Sequence, residues 1–492
     1  MDVAGDKLTE TGRDWDVMRR LIVATGIGWS IAFVLLGVGH GLQMYGDGSF
    51  FSYAVAVEEA WAYHWHNISG RVFVYLLAHA PAELYVHLTS DARGGINLYG
   101  LLFFAGPLVG LAVTRAIDAS PDRCVFVVAC LSTACVCPLI FGCPTEIWMS
   151  HAVFWPALAA CHRPRASVAE TARVFALLLA LVLTHEGAVL FALTSVATTL
   201  LHGARDLRVQ RAAGALTAAM IIWAGVKWWF PPDPYLAEVL GRNALNLLNL
   251  RLLVTGVTVL LPLALVAYGA LLFAFGRWRV ARAEATAALF VIAGLCVFWW
   301  RFDRWLLADS RYYLRTAVLA VTPVLGCFAV VLALAGERTR LAPQSWLVRL
   351  ITAGAAHAVK LSPRHLTGAL ALVVIIHAVE TVKFVRVWDA YLAGLAALSM
   401  EAQPGLPSDA LRPASPERLG QSLNRVSWFS TTQYLSVLVA PGLAPVRLVA
   451  DPDPLYFWID CATARRTETA RKAVPVRSRM LLRQFTCLHR TE

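Results

Sequence analysis

The sequence predicts an all-α polytopic membrane protein with about 11 transmembrane helices, and composition and span length both point to it. Of the 492 residues, 58% are hydrophobic and 15% are charged, which is far too apolar for a soluble globular protein. Apolar stretches recur near the length of roughly 20 residues that crosses a bilayer core about 30 Å thick. The expected spans are 20–41, 96–114, 124–141, 148–161, 172–184, 187–201, 211–230, 252–275, 284–300, 316–335 and 366–382.

Lysines and arginines occupy every second loop between these spans. Because basic residues concentrate on the cytoplasmic side, residues 1–19 are predicted to be a cytoplasmic tail. The net charge of +11 then reflects topology and contact with anionic lipids, and no nucleic-acid partner is expected. The basic residues that set this pattern are Lys7, Arg13, Arg19, Arg20, Arg115, Arg123, Arg163, Arg165, Arg173, Arg205, Arg208, Arg211, Arg277, Arg279, Arg282, Arg338, Arg340, Arg349, Lys360 and Arg364.

Three regions follow from this pattern. Residues 20–383 form the transmembrane domain, and its first outer loop, 43–95, is long. Residues 384–492 are a proline-containing linker and a small extracytoplasmic α/β domain, because short alternating runs such as VRLVAD and LYFWID are typical of strands. The cysteines of that domain, Cys461 and Cys487, fit either a disulfide bond or two buried thiols.

Residues 71–89, RVFVYLLAHAPAELYVHLT, are nearly long enough to cross the membrane. The Ala-Pro break and the cost of burying the charge of Glu83 favour a helix that lies along the membrane surface or dips part way into it. If the segment crossed instead, every later basic loop would face outward. The positive-inside pattern therefore favours the surface position.

Acidic residues of the first outer loop are candidates for chemistry at the membrane surface. Asp47 stands between two glycines directly after the first span, where the backbone is free to turn. Its carboxylate can act as a general base or a metal ligand, and it also fits a plain Asp-Gly turn. Glu58 and Glu59 follow on a predicted surface helix, 50–65, as candidate substrate-binding residues.

A histidine and a glutamate interrupt the apolar stretch from 174 to 201. His185 and Glu186 are costly at membrane depth unless they line a polar cavity. If two spans meet at this pair, it lies at the outer surface near the first loop, in the same layer as Glu146. These three residues are candidate catalytic residues together with Asp47. These residues could bind a divalent metal ion as a cofactor, although no paired-Asp or His-x-x-x-His spacing points to one.

A row of arginines is the strongest candidate binding surface. In RFDRWLLADSRYYLR, residues 301–315, the arginines are three, seven and four residues apart, which predicts one helical stripe. Arginine binds phosphate through two parallel hydrogen bonds and keeps its charge at any pH, so the stripe is predicted to bind a carrier lipid's phosphate. Arginines that merely reach phospholipid headgroups would give the same pattern. The residues are Arg301, Arg304, Arg311 and Arg315.

In this layout the chain resembles the GT-C glycosyltransferases. One span, a long first outer loop with an acid close to it, some ten further spans and a terminal domain are shared features. Asp47 would match the first-loop acid, and Ser310-Arg311-Tyr312 is similar to a Ser-Arg-Tyr element of some members. The first loop lacks an Asp-x-Asp or Asp-Glu pair, and the chain lacks the Trp-Trp-Asp-Tyr signature of oligosaccharyltransferases.

The resemblance implies transfer of a sugar from a polyprenyl-phosphate donor to a glycan, lipid or protein acceptor, with inversion, on the periplasmic face of a bacterial inner membrane. Asp47 would be the base, and Glu146 or the His185–Glu186 pair would orient it or replace it. The arginine stripe and Tyr312 would bind the donor and stabilise the leaving phosphate.

Two alternatives stay open at this point. A lipid-linked polysaccharide polymerase or ligase would act on a related substrate, but it is expected to carry its large outer loop between late spans. A transporter or flippase would carry charges near the middle of the membrane and internal repeats.

Overall fold

The computed structural model describes residues 3–58, 60, 71–164, 167–229, 249–254, 256–302, 313–336 and 362–401. In the terminal region it describes 412–413, 419, 426, 432–443, 445–446 and 449–450. The candidate residues Glu59, Arg304, Arg311 and Tyr312 lie outside the described residues, as do Cys461 and Cys487.

The described chain is built from α-helices. In chain order they are α1 (Val3–Gly39), α2 (Gly48–Ala56), α3 (Ala80–Thr89), α4 (Ala92–Phe104), α5 (Gly106–Ile117), α6 (Cys124–Cys135), α7 (Cys137–Ile140), α8 (Glu146–Cys161), α9 (Val168–Val182), α10 (Ala188–Ala197), α11 (Leu207–Trp229), α12 (Gly256–Arg277), α13 (Ala283–Phe302), α14 (Arg315–Gly336), α15 (Pro363–Met400) and α16 (Thr432–Val439). Short helical turns are Leu42–Met44, Val72–Val74, Tyr75–His79, Pro121–Arg123, Thr198–His202, Leu250–Leu253 and Pro441–Leu443. Two strands of two residues, Arg412–Pro413 and Val449–Ala450, pair in parallel.

Helices α1 and α15 lie side by side and run in the same direction. Near the start of α1, Arg364 Nε donates to Asp14 Oδ2 at 3.1 Å. Just beyond the end of α1, His40 Nδ1 lies 2.9 Å from Asp389 Oδ2. We call the end of the bundle at Asp14 the proximal end and the end at His40 the distal end.

The other helices alternate in direction between these two ends. Contacts between loop or helix-end residues show which helix ends lie together at the proximal end and which lie together at the distal end. The basic loops gather at the proximal end. The proximal contacts are Arg19–Asp122, Arg163–Ile117, Arg211–Arg163 and His365–Glu284. The distal contacts are Gln43–Asn97, Arg71–Glu146, Arg71–Glu186, Lys227–Glu186 and Gly187–Leu319.

The described residues include seven helices that are long and apolar enough to cross a membrane, and α4 with α5 would add an eighth although the pair is bent by 40°. The chain is therefore a multi-pass helical membrane protein, as predicted. Helices α8, α9 and α10 match three of the predicted windows but are shorter than these candidates. The count of 11 spans accordingly stays a prediction. The seven are Asp14–Gly39, Pro121–Ile140, Leu207–Trp229, Gly256–Arg277, Ala283–Phe302, Arg315–Leu334 and Pro363–Met400.

Glycines set the closest contacts between helices in the bundle. A Cβ at Gly26 of α1 would lie 2.6 Å from the carbonyl oxygen of Cys130 in α6. Likewise, a Cβ at Gly110 of α5 would lie 2.3 Å from the carbonyl oxygen of Ala152 in α8. In a membrane the hydrophobic effect does not drive helices together, so their association depends on close packing of this kind.

Residues 71–89 begin and end at the distal end, so the segment does not run the length of the bundle. At its start, Phe73 N–H donates to Leu183 O at 3.2 Å. Near its end, Val86 packs against Gly95 of α4. One face is exposed and apolar, with Leu76, Leu84 and Leu88, while His79 and Val86 are buried. The exposed apolar face suits contact with lipid, and the position of this segment along the membrane surface stays a prediction.

Helix α15 continues beyond the expected domain boundary at 383 and ends at Met400. Farther along, α16 packs against the first loop: the Tyr434 ring centroid lies 4.7 Å from that of Phe50 in α2. Arg93 also donates to Ala440 O at 2.7 Å. The described part of the terminal region therefore lies at the distal end. The rest falls outside the described residues, and the α/β domain stays a prediction.

Candidate functional site

An ion-pair cluster at the distal end is centred on Arg71. Arg71 Nη1 lies 2.9 Å from Glu146 Oε1, and Arg71 Nη2 lies 2.9 Å from Glu186 Oε2. The second oxygen of Glu186 lies 2.7 Å from Lys227 Nζ. All four side chains are less than one-fifth exposed, so their charges are compensated within the protein and not by water. We call these four residues the Arg71 cluster.

Four separate segments bring the Arg71 cluster together. Arg71 precedes the single helical turn Val72–Val74, and Glu146 is the first residue of α8. Glu186 lies in the turn between α9 and α10, and Lys227 lies in the last turn of α11. The sequence placed Glu146 and Glu186 in one layer near the first loop, and the contacts to Arg71 agree with that placement.

Glu186 is held in its ionised form. Burial alone would raise the pKa of its carboxyl, but the neighbouring charges of Arg71 and Lys227 outweigh burial and bring that pKa well below its usual value. Burial likewise opposes the charge of Arg71, and the two glutamates more than restore it, so the pKa of the guanidinium is raised. A carboxylate paired with two cations is a weak proton acceptor at neutral pH.

His185 lies beside the cluster as a neutral imidazole. Burial, assisted by the positive charge of Arg71, lowers its pKa to about 3. Its Nδ1 accepts the N–H of Gly187 at 2.8 Å, so the proton is on Nε2. His185 can therefore donate one hydrogen bond from Nε2 to a bound molecule.

Asp47 is linked to the same cluster by an electrostatic effect on Tyr99. The backbone of Gly46 is left-handed, with φ of 57°, and turns the chain so that Asp47 directly precedes α2. The buried Tyr99 of α4 interacts electrostatically with both Glu146 and Asp47. Of the predicted catalytic residues, Asp47 and Glu146 thus both act on Tyr99, Glu186 pairs with Arg71, and the charge of Arg71 acts on His185.

The helix predicted over 50–65 differs from the one observed. Helix α2 ends at Ala56, and every residue from Gly48 to Val55 is buried, because α4 and α16 cover it. Glu58 follows in a left-handed turn, with φ of 58°, and lies 2.8 Å from His87 Nδ1. Both side chains of this pair are well exposed, so Glu58 is available to solvent next to the amphipathic segment.

The predicted single stripe of arginines is wrong as a helical arrangement. Arg301 lies in the last turn of α13, which runs toward the distal end, and Arg315 is the first residue of α14, which runs away from it. Since the chain reverses between them, they cannot share one straight helical face. The charge of Arg315 nevertheless acts on His185, beside the cluster.

Arg71, Lys227 and Tyr99 were missed by the sequence reasoning. Two of them carried a signal: Arg71 and Lys227 are cations in a layer that the positive-inside rule leaves poor in them. Such cations are expected to have acidic partners or anionic ligands. Tyr99 carried no signal, because a tyrosine in an apolar stretch is an ordinary interfacial residue.

Exposed tryptophans lie at the distal end of the bundle. Trp228 and Trp229 directly follow Lys227 and are 88% and 76% exposed, and Trp300, near the distal end of α13, is 84% exposed. Such tryptophans favour the headgroup level of a bilayer. The Arg71 cluster lies at the same end of the bundle as these tryptophans.

Comparison with known proteins supplies no identity. No protein-family model matches the chain, and no curated protein matches it either. Among the described residues, no group of three or more His, Cys, Asp or Glu side chains could hold a metal ion.

Proposed function

We propose that this protein is a membrane glycosyltransferase that moves a sugar from a polyprenyl-phosphate donor to an acceptor outside the cytoplasm. One observation carries the proposal. A half-buried acid, Asp47, and the Arg71 cluster, through Glu146, both act electrostatically on the buried Tyr99 at the distal end, which supports a site where an acid and charged groups act on one substrate. The resemblance of the layout to GT-C glycosyltransferases supports the same function.

The residues divide into an acid that reacts and groups that hold charge. Asp47 is the proposed base, because the carboxylate of Glu186 is already neutralised by Arg71 and Lys227. The Arg71 cluster is the proposed frame, which fixes Glu146 beside Tyr99. His185 and Arg315 are the proposed donors to the phosphate, together with Arg301 and with Arg304, Arg311 and Tyr312 from outside the described residues.

The proposed reaction is a single inverting displacement. The acceptor oxygen forms the new bond to the anomeric carbon while its proton passes to Asp47. The bond between that carbon and the phosphate oxygen breaks, and polyprenyl phosphate leaves with the electron pair. Guanidinium groups stabilise this developing negative charge.

The finer membrane placement belongs to the same proposal. With 11 spans and a cytoplasmic tail, the distal end would face the periplasm of a bacterial cell, and the acceptor would be a glycan, lipid or protein there. The parallel course of α1 and α15 supports an odd number of crossings, because both helices pass from the proximal to the distal end. The basic loops at the proximal end support its cytoplasmic position.

The proposal is tested by lipid and glycan analysis. Mass spectrometry of extracts from a deletion strain should show one glycoconjugate short by a single sugar mass. Wild-type protein should restore it and Asp47→Asn should not. Asp122→Asn, an exposed acid at the proximal end, is the matched control and should restore it fully. Full activity of Asp47→Asn would reject the role of Asp47, and loss of whole repeat units would favour a polymerase or ligase.

A transporter is the second candidate, and one buried charge favours it. Glu380 in α15 is 3% exposed and pairs with Lys383 Nζ at 3.3 Å and with Trp299 Nε1 at 2.8 Å. Charges inside a span often mark a transport path. If Glu380→Gln abolished complementation while Asp47→Asn retained it, transport would replace transfer as the proposed function.

A further inference from the structure

A polar cavity lies at the proximal end, at the opposite end of the bundle from the Arg71 cluster. Its volume is about 610 Å³, and it is bounded by the loops that follow α5, α8 and α10 and by the end of α14. Nothing in the proposed transfer reaction uses it, because its walls lie at the other end of the bundle. Its lining separates into a polar wall and an apolar wall.

Two guanidinium groups are fixed in the polar wall. Arg163 Nη1 donates to Ile117 O at 3.0 Å, and its Nε lies 3.3 Å from Glu170 Oε1. Arg208 pairs with Asp206 through Nε and Nη2, both at 3.0 Å. A guanidinium carries five N–H donors, and these contacts use only some of them. Both groups are therefore held in place with donors left for a further acceptor.

A pair of histidines completes the polar wall. The Thr198 hydroxyl donates to Thr194 O at 2.9 Å, so it accepts from His162 Nε2 at 3.0 Å. His162 Nδ1 is then an acceptor, and His202 Nε2 donates to it at 2.8 Å. With the protons placed in this way, His202 Nδ1 carries no proton and accepts hydrogen bonds. The His202 side chain lines the cavity.

The carboxylates of Asp118 and Asp206 also line the cavity. However, Asp118 accepts the backbone N–H groups of Ser120 and Phe126. Asp206 is paired with Arg208. The remaining guanidinium donors beside one imidazole acceptor suit a phosphate ester with neighbouring hydroxyl groups.

The opposite wall is apolar. Val330, Ala333 and Leu334 of α14 line it, together with Leu201. This surface cannot hydrogen-bond to a polar ligand. A molecule that fills the cavity must therefore be polar on one side and apolar on the other, as a lipid is where its headgroup meets its chains.

The charge around the cavity favours an anion. Arginines outnumber acidic residues in the described parts of the loops that follow α5, α8 and α10 and in the adjoining helix ends, and a basic recess between membrane helices attracts anionic headgroups. The arginines are Arg115, Arg123, Arg163, Arg173, Arg205, Arg208 and Arg211, and the acids are Asp118, Asp122, Glu170 and Asp206.

We propose that the proximal cavity binds a phosphate ester carried by an anionic lipid of the surrounding leaflet. Arg163 and Arg208 bind the phosphate, His202 accepts a headgroup hydroxyl, and the start of the chains lies against α14. This site is independent of the proposed transferase function, because it shares no residue with the distal site.

The test uses the full-length protein in neutral detergent and measures bound lipid by native mass spectrometry. Dioleoyl phosphatidylglycerol is the probe, and dioleoyl phosphatidylcholine and glycerol 3-phosphate are the comparison ligands. Wild-type protein should retain one phosphatidylglycerol in preference to either. Equal retention of phosphatidylcholine would overturn the anionic preference, and equal binding of glycerol 3-phosphate would overturn the lipid as the source of the phosphate.

Two variants address the two walls separately. Arg208→Gln should weaken phosphatidylglycerol binding by about tenfold, the factor expected for a lost charge-assisted hydrogen bond. Ala333→Phe should also weaken it by filling the cavity, without any change of charge, and this variant keeps the test decisive if Arg208→Gln does not fold. Arg277→Gln is the matched control, since Arg277 is exposed and does not line the cavity, and it should bind as wild type. Wild-type affinity in Ala333→Phe would overturn the proposal.

Discussion

The two ends of the bundle both contain ion pairs, but they are built differently. At the distal end, Arg71 joins Glu146 and Glu186 from two other segments, and Lys227 comes from a fourth. At the proximal end, the described pairs are either close in sequence, as Arg208 with Asp206, or partly exposed, as Arg364 with Asp14. Charges collected from distant segments and then buried are costly, which is why we propose the reaction at the distal end.

The largest effect is expected from the centre of the distal cluster. Arg71→Met leaves two glutamates buried without their shared cation, which should destabilise the protein by about 3–5 kcal/mol. Arg71→Lys keeps the charge but cannot pair with both carboxylates in the same geometry, so it should lose less. Thermal unfolding in detergent, followed by size-exclusion chromatography, measures both. Wild-type stability of Arg71→Met would show that the cluster does not hold the distal end together.

A smaller effect is expected where helices touch between the two ends. Gly26→Ala should cost about 1–3 kcal/mol, because the new methyl group would overlap the backbone of Cys130. Gly28→Ala, two residues away with open space around it, is the matched control and should be neutral or slightly stabilising. Equal unfolding temperatures for the two variants would contradict the close contact of α1 with α6.

The pH dependence of stability should reveal the contribution of the buried His185 imidazole. Its pKa is about 3 in the fold and 6.5 ordinarily, so the folded protein binds fewer protons than the unfolded chain. Stability from the neutral imidazole is therefore complete above pH 6.5 and is lost as the pH falls toward 3. The loss is at most about 1.4 kcal/mol per pH unit. His185→Gln should flatten the unfolding temperature between pH 7 and pH 5, and a curve parallel to that of wild type would reject the assignment.

The smallest effect is expected at the proximal rim. Arg364 and Asp14 have side chains 59% and 30% exposed, so their pair is screened by water. Arg364→Gln should change stability by less than about 1 kcal/mol in the same unfolding assay. A loss as large as that of Arg71→Met would remove the distinction between the two ends.

The sequence predicted the membrane class and the grouping of basic loops, because apolar length and local charge are properties of single segments. It also placed Glu146 and Glu186 in one layer. The Arg71–Glu186 contact was not predictable, because its partners are 115 residues apart and only the packed helices bring them together. The prediction of one arginine stripe from Arg301 to Arg315 was wrong because the spacing of residues does not reveal that α13 and α14 run in opposite directions.

Sidedness of the two ends is the claim that the proposed function depends on most. Thr89→Cys at the distal end and Ala204→Cys at the proximal end are exposed positions without charge, introduced separately into a Cys461→Ser, Cys487→Ser protein. An impermeant maleimide applied to intact cells should label the first variant and reach the second only after the membrane is permeabilised. Labelling of Ala204→Cys but not Thr89→Cys in intact cells would place the Arg71 cluster on the cytoplasmic side and contradict the account.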